Sequence, residues 1–211
     1  VKREILKCSG DYLGTFFNLN GSLEPTRTRI DIESFTPSLF ATVSNLRPIE
    51  LYKGEYYDAE VRAKTRITLS DTLSIQSDIE IPWYAAVLDT QRAYGGTDGR
   101  VKVAYRDGNI TVENYRLEIA NHPITTDKPS HLHINSAGGL TVDEFWIFDT
   151  LLLNGTVNSD LSAALRLHSE RFSYQGPEGS AHASADMIFI RDAAANQNLS
   201  GKLKILDSTI T

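Results

Sequence analysis

Apolar and polar residues alternate along most of this chain. In "YYDAEVRAKTRITL" (56–69), Tyr57, Ala59, Val61, Ala63, Thr65, Ile67 and Leu69 fall in one phase. Asp58, Glu60, Arg62, Lys64, Arg66 and Thr68 fall in the other. A period of two is the mark of a strand with one dry and one wet face. At roughly 3.3 Å per residue the stretch spans on the order of 40 Å, well beyond an ordinary strand.

The same alternation recurs in "RTRIDIESF", around Ile30 and Ile32, and in "TLSIQSDIEI", around Leu73, Ile75, Ile79 and Ile81. With Ser70-Asp71-Thr72 as a turn, the latter pairs with 56–69 in a long hairpin. "GRVKVAYRDGNITVENYRLEI" predicts a second hairpin around Asp107-Gly108, because Asp-Gly between alternating runs is a strong turn signal. "HLHIN", "LTVDEFWIFDTLLL", "ADMIFIR" and "LSGKLKIL" continue the series toward the C-terminus. "SDLSAALRLHSERF" is ambiguous: Asp160 is suited to cap a helix, whereas Leu161, Ala163, Leu165 and Leu167 alternate. It reads as a strand because its neighbours do.

One stretch breaks the period. "PWYAAVLDTQRAYGG" places Trp83 or Tyr84 with Val87 and Leu88 at helical spacing, after Pro82 and before Gly95-Gly96, which predicts a helix over 83–94. The expected fold is therefore mostly β, a single domain over 1–211 with a sub-boundary near 82–98. Its long antiparallel sheet is either curled into an open groove or partly closed into a barrel, with one short helix.

Composition narrows the classes. The chain has 211 residues, 41% hydrophobic and 23% charged, and a net charge of −6 without a basic stripe, so nucleic acid is not an expected partner. The lone Cys8 excludes an internal disulfide framework and reads as a small buried residue rather than a nucleophile. No segment reaches the ~18 apolar residues of a membrane span. The chain begins at Val1, which suggests a processed or excised piece; a removed leader or upstream anchor would leave this appearance.

Chemical motifs are few. His131 and His133 in "SHLHIN" would share a strand face and could hold one metal with His122, His168 or His182 as third ligand, but an isolated H-x-H is a weak signal. No G-x-S-x-G elbow, P-loop or dinucleotide fingerprint occurs, and "AYGGTDGR" stands in the wrong order to cradle phosphate. Asp143 and Glu144 could act as an acid–base pair only if the fold brought them together. Sequons at Asn20, Asn109, Asn154 and Asn198 carry little weight in a chain rich in Asn, Ser and Thr. No catalytic residue and no cofactor are expected.

What remains is the apolar phase itself: Val61, Ile67, Val142, Phe145, Ile147, Leu151, Leu153, Leu165, Leu167, Met187, Phe189, Leu203 and Ile205. Something must cover such a face, whether a second sheet, the curl of the same sheet, or a bound apolar ligand.

From about residue 79 onward, "GNITVENYRLEIAN" sets a Gly before a strand, "LTVDEFWIFDTLLLNGTVNSDLSAALRL" runs strand, strand, Asn-Gly, strand, and "NLSGKLKILDSTI" follows an L-x-G-x-L-x-I phrase. In this the chain resembles the AsmA-like and TamB-like envelope proteins of diderm bacteria. The resemblance implies a long sheet curled into a half-open groove, apolar inside, that handles phospholipid in the periplasm. It also implies a membrane-anchored or exported precursor and an outer-membrane assembly protein as a partner. The first 55 residues, with "KCSGDYLGTFFNLNGS", look more like the opening of a small calycin-type barrel. The expected function is non-enzymatic lipid binding or transfer. The alternatives are a closed barrel for one small apolar ligand and a metal-dependent enzyme built on His131 and His133.

Overall fold

A computed structural model describes residues 4–46, 56–87, 93–119, 122–147, 149–176, 179–194 and 196–210. The strands are β1 (Glu4–Tyr12), β2 (Thr15–Glu24), β3 (Arg27–Thr36), β4 (Tyr56–Leu69), β5 (Leu73–Val87), β6 (Ala93–Arg106) and β7 (Asn109–Ile119). They continue as β8 (His122–Thr126), β9 (Ser130–Ile134), β10 (Leu140–Ile147), β11 (Leu151–Val157), β12 (Ala163–Gly176), β13 (Gly179–Arg191) and β14 (Gln197–Ile210). The single helix among the described residues is α1 (Leu39–Leu46). Neighbours in sequence are neighbours in the sheet, except that β8 and β9 both pair with β7. The order is linear with β1 and β14 at its ends, so the antiparallel sheet is open and not a closed barrel.

The chain divides into two compact units. The first comprises Val1–Asp107 with Tyr115–Pro123; the second comprises Gly108–Asn114 with Ile124–Thr211.

In the first unit, tight turns fix the register. Leu13 and Gly14 both have positive φ (52° and 85°), the backbone twist that suits a two-residue hairpin loop between β1 and β2. Asp107, which belongs to this unit, and Gly108, with which the second begins, have the same signature (49° and 85°), as the Asp-Gly signal predicts. β4 and β5 pair from Leu69–Leu73 outward across the Ser70–Thr72 turn, giving the long hairpin expected of this segment.

The helix expected over 83–94 is absent: β5 runs through to Val87 and β6 begins at Ala93, and residues 88–92 lie outside the described ones. Gly95 and Gly96 are strand residues paired with Ala85 and Tyr84. A Cβ on Gly96 would fall 1.5 Å from the Glu118 carbonyl oxygen and 2.5 Å from the Tyr84 hydroxyl. Here the glycine pair permits close approach of backbones and does not stop a helix. Pro82 sits at a break in the β4–β5 ladder, between the Arg62–Glu80 and Glu60–Trp83 pairs, where a missing N–H is tolerated.

The helix that does form, α1, had no part in the sequence expectation. Ser38 Oγ accepts from the Ala41 N–H at 3.1 Å, an N-cap bond, and donates to the Asp58 carboxylate at 2.9 Å. Asp58 on β4 also accepts from the Phe40 N–H at 3.1 Å, so a strand carboxylate ties down the first turn of the helix.

In the second unit, the ambiguous stretch is strand β12, as expected. Asp160 closes the turn before it by accepting from the Ser162 N–H at 2.9 Å. Gly155 on β11 and Gly201 on β14 have φ of +136° and +129° within strands, and a Cβ on either would strike a neighbouring carbonyl at 2.1 or 2.2 Å. Thr126 and Ser130, both fully buried, hold the β8–β9 connection. Thr126 donates to Asp149 Oδ1 at 2.5 Å, and Ser130 Oγ accepts from the Trp146 N–H at 2.9 Å.

Candidate functional site

Each unit has an apolar and a polar face, and cross-strand register assembles both. In the first unit, Gly21, Ile30, Ile67, Ile75 and Tyr105 form one row across β2–β6. Leu19, Ile32, Thr65, Ser77 and Val103 form the next. Val61, opposite Thr36, belongs to the same face as Ile67.

In the second unit, Val142, Gly155, Leu165, Phe189 and Leu199 lie in one row across β10–β14. Phe145, Leu153, Leu167, Met187 and Gly201 lie in the next. Ile147 opposes Leu151, Ala185 opposes Leu203, and Ala183 opposes Ile205, two residues further along the same strands. The eleven candidates from Val142 to Ile205 thus share one face of their unit.

Cover on these faces is incomplete. Among the described residues the buried hydrophobic side chains are Ala59, Tyr115, Val142, Leu151, Ala163, Ala183 and Ala185, four of them alanines. A packed core normally buries its Leu, Ile and Phe side chains first. Here Val61, Ile67, Leu153, Leu165 and Phe189 are only half-buried, while Leu199, Leu203 and Ile205 on β14 are 62%, 59% and 64% exposed. Cys8 is exposed, contrary to the expected buried position: it lies on β1, which has a single neighbouring strand, and nothing described covers it.

The polar faces are organised by charge. Glu33, Lys64, Asp78 and Lys102 face one another in sequence across β3–β6, and Arg62, Glu80 and Arg100 do so across β4–β6. Asp31 opposes Arg66, with Arg66 Nε 2.8 Å from Oδ1, and Arg29 reaches the same carboxylate at 2.9 Å. The Arg29 hydrogen bond is the larger cause holding the Asp31 carboxyl below the usual carboxylate range; Arg66 acts in the same direction. Near this ladder a shallow depression is lined by Phe16, Asn18, Glu33, Phe35, Arg62 and Glu80 among others. Phe16 and Phe35 stack there with centroids 6.2 Å apart, and the Arg62 guanidinium lies 5.5 Å above the Phe35 ring.

His131 and His133 do share the face expected of them. A bulge in β10, between Val142 and Glu144 of the β9 ladder, turns Asp143 and Glu144 toward this histidine pair. His133 Nδ1 is 2.9 Å from Asp143 Oδ2, and His131 Nε2 is 3.8 Å from Glu144 Oε1. His182, named as a third ligand, is engaged by Asp207 at 2.7 Å, and His168 is on β12 opposite Leu152. The side chain of His122 lies outside the described ones. Among the described residues no group of three or more His, Cys, Asp or Glu has the arrangement of a metal site. The carboxylates beside the histidines are adjacent in sequence, but only the bulge, invisible to a period-two reading, brings both to one side.

Among the described residues, no helix is long and apolar enough to cross a membrane. Comparison with protein-family models, with curated proteins and with solved structures finds no match for this chain.

Proposed function

We propose that this chain is a non-enzymatic segment of the bacterial cell envelope, of the AsmA-like and TamB-like kind, that presents apolar sheet surface to phospholipid acyl chains. The observation that carries the reading is the half-open apolar face of the second unit, on which Leu165, Leu167, Met187 and Phe189 stand in register without being buried. Each methylene taken out of water contributes about 0.8 kcal/mol, so an acyl chain laid along such rows needs no specific polar partner. The surrounding polar face, dense in paired charges, is suited to an aqueous compartment, and the periplasm is the one the resemblance implies. An outer-membrane assembly protein is the matching protein partner.

Native mass spectrometry of the purified protein, followed by solvent extraction and lipid analysis, tests this. Co-purifying phospholipid that is lost in a Leu165→Glu, Phe189→Glu variant of retained fold is the expected outcome. Repeated absence of lipid, together with no binding to phospholipid vesicles, would overturn it.

A further inference from the structure

Two aromatic rings stand where the first unit is otherwise charged. Phe16 on β2 and Phe35 on β3 lie directly opposite each other on the polar phase, 52% and 36% exposed. Among the described residues they are the only exposed phenylalanines. A single exposed apolar side chain is ordinary. Two stacked rings lining a depression of about 820 Å³ are not, since small-ligand sites run to about 300–1,000 Å³.

Register sets out the depression as two parallel rows. Phe16, Phe35, Arg62 and Glu80 form one across β2–β5. Asn18, Glu33, Lys64 and Asp78 form the other, two residues along each strand. At ~4.8 Å between strands and ~3.4 Å per residue, the strip measures about 14 Å by 7 Å. Each of β2–β5 has a strand on both sides, so the strip does not depend on either end of the sheet. Its polar groups are uncommitted. The Arg62 guanidinium is held by Glu60 at 2.7 Å and lies over the Phe35 ring. The side chains of Asn18, Glu33, Lys64, Asp78 and Glu80 have no hydrogen-bond or ion-pair partner among the described residues. Further along the same face, by contrast, Asp31 holds both Arg29 and Arg66.

We propose that this strip binds a neutral, β-linked glycan chain laid across β2–β5. The flat C–H face of a pyranose ring with equatorial substituents packs on Phe16 and on the open part of Phe35. The hydroxyl edge of the chain meets Asn18, Glu33, Lys64 and Asp78. Along that row acid and base alternate from strand to strand, and a hydroxyl, which donates and accepts at once, bridges one of each. The lining acids Glu33, Asp78 and Glu80 face the bases Arg62 and Lys64, so no strong field selects an ion, and a polyanion is disfavoured. A peptide strand finds no free backbone here to pair with, because these strands are paired on both sides. Ile30 and Ile67 are on the other phase of the same strands, so the site is independent of what the apolar faces bind.

The test uses the whole chain with cellohexaose, the hexamer of N-acetylglucosamine, and a heparin hexasaccharide as polyanionic control. Affinity is read by isothermal titration calorimetry, and location by NMR amide shifts over residues 16–18, 33–35, 62–64 and 78–80. At least one neutral hexamer is expected to bind with shifts centred on these segments, while the heparin fragment does not. Phe16→Ala should lower that affinity about tenfold or more, whereas Phe16→Tyr, which keeps a ring, should retain it. The Glu33→Ala, Asp78→Ala variant, at exposed positions with both rings in place, should also bind more weakly. Three outcomes would overturn the proposal: neither neutral hexamer binding at about 10 mM, affinity unchanged in both the Phe16→Ala and the double variant, or preference for the heparin fragment.

Discussion

Arg66 on β4 places its Nε 2.8 Å from Oδ1 of Asp31 on β3, directly across the ladder, while Arg29 holds the same carboxylate from within β3. Two guanidiniums on one carboxylate favour its charged form, and its folded-state pKa is accordingly lowered. A lowered carboxylate contributes stability that is present above its unfolded value, about 3.9, and lost as pH falls through the folded one. Acid unfolding of the native chain should therefore include a component from Asp31 below about pH 4. In Asp31→Asn that component should vanish, and the difference in denaturation midpoint between the two proteins should shrink toward low pH. A difference independent of pH would show that the carboxylate charge is not what matters.

Lys64 lies between Glu33 and Asp78 in the first unit's ladder. Lys64→Glu places three carboxylates in one row and should cost about 1 kcal/mol, more than an ordinary surface substitution. Lys64→Gln should cost only a few tenths. Urea denaturation of both, in low and in 1 M salt, checks the reading: salt should diminish the Glu penalty and leave the Gln value alone.

Ile67 is on the opposite face of the same strand, half-buried between Ile30 and Ile75. Glu at this position should cost about 1–2 kcal/mol, less than in a closed core because the carboxylate retains access to water. Equilibrium denaturation decides: a loss above ~4 kcal/mol would mean the face is sealed.

Gly155 at φ +136° has the Ala164 carbonyl where a Cβ would stand. Gly155→Ala should destabilise by about 2 kcal/mol or more, combining backbone strain with displacement of β12. Gly138, at φ +76° with nothing within 4 Å of its Cβ position, should lose only about 1 kcal/mol as Ala. Thermal denaturation of the pair separates strain alone from strain with collision.

The His131 and His133 imidazoles lie beside Glu144 and Asp143, and the described residues supply no metal cage around them. Elemental analysis of dialysed protein should find no stoichiometric zinc, and added zinc should not raise the melting temperature. Stoichiometric metal lost in a His131→Ala, His133→Ala variant would restore the enzymatic alternative.

Most strands were legible in the sequence because alternation is a local property: neighbouring side chains on an extended backbone point oppositely whatever the strand pairs with. The long hairpin at 70–72, the Asp107-Gly108 turn and the mostly β architecture follow from that and from turn chemistry, whereas the choice between an open sheet and a partly closed barrel was made only by the strand order. The apolar phase could be named residue by residue for the same reason. Burial, by contrast, depends on what stands above a face, so Cys8 and the aliphatics of β14 could not be ranked from pattern. Gly95-Gly96 after a helical spacing reads locally as a stop, but Gly96 admits the Tyr84 hydroxyl and the Glu118 carbonyl, and Gly95 the Tyr84 backbone carbonyl, all distant in sequence. Helix α1 depends on Asp58, twenty residues beyond its cap Ser38. The charge ladders are likewise a product of register: which acid meets which base is set by turn lengths and bulges summed over several strands. The chain alone determines the phase of each side chain; tertiary structure determines its neighbour, because hydrogen-bonded pairing across a sheet joins residues that sequence holds apart.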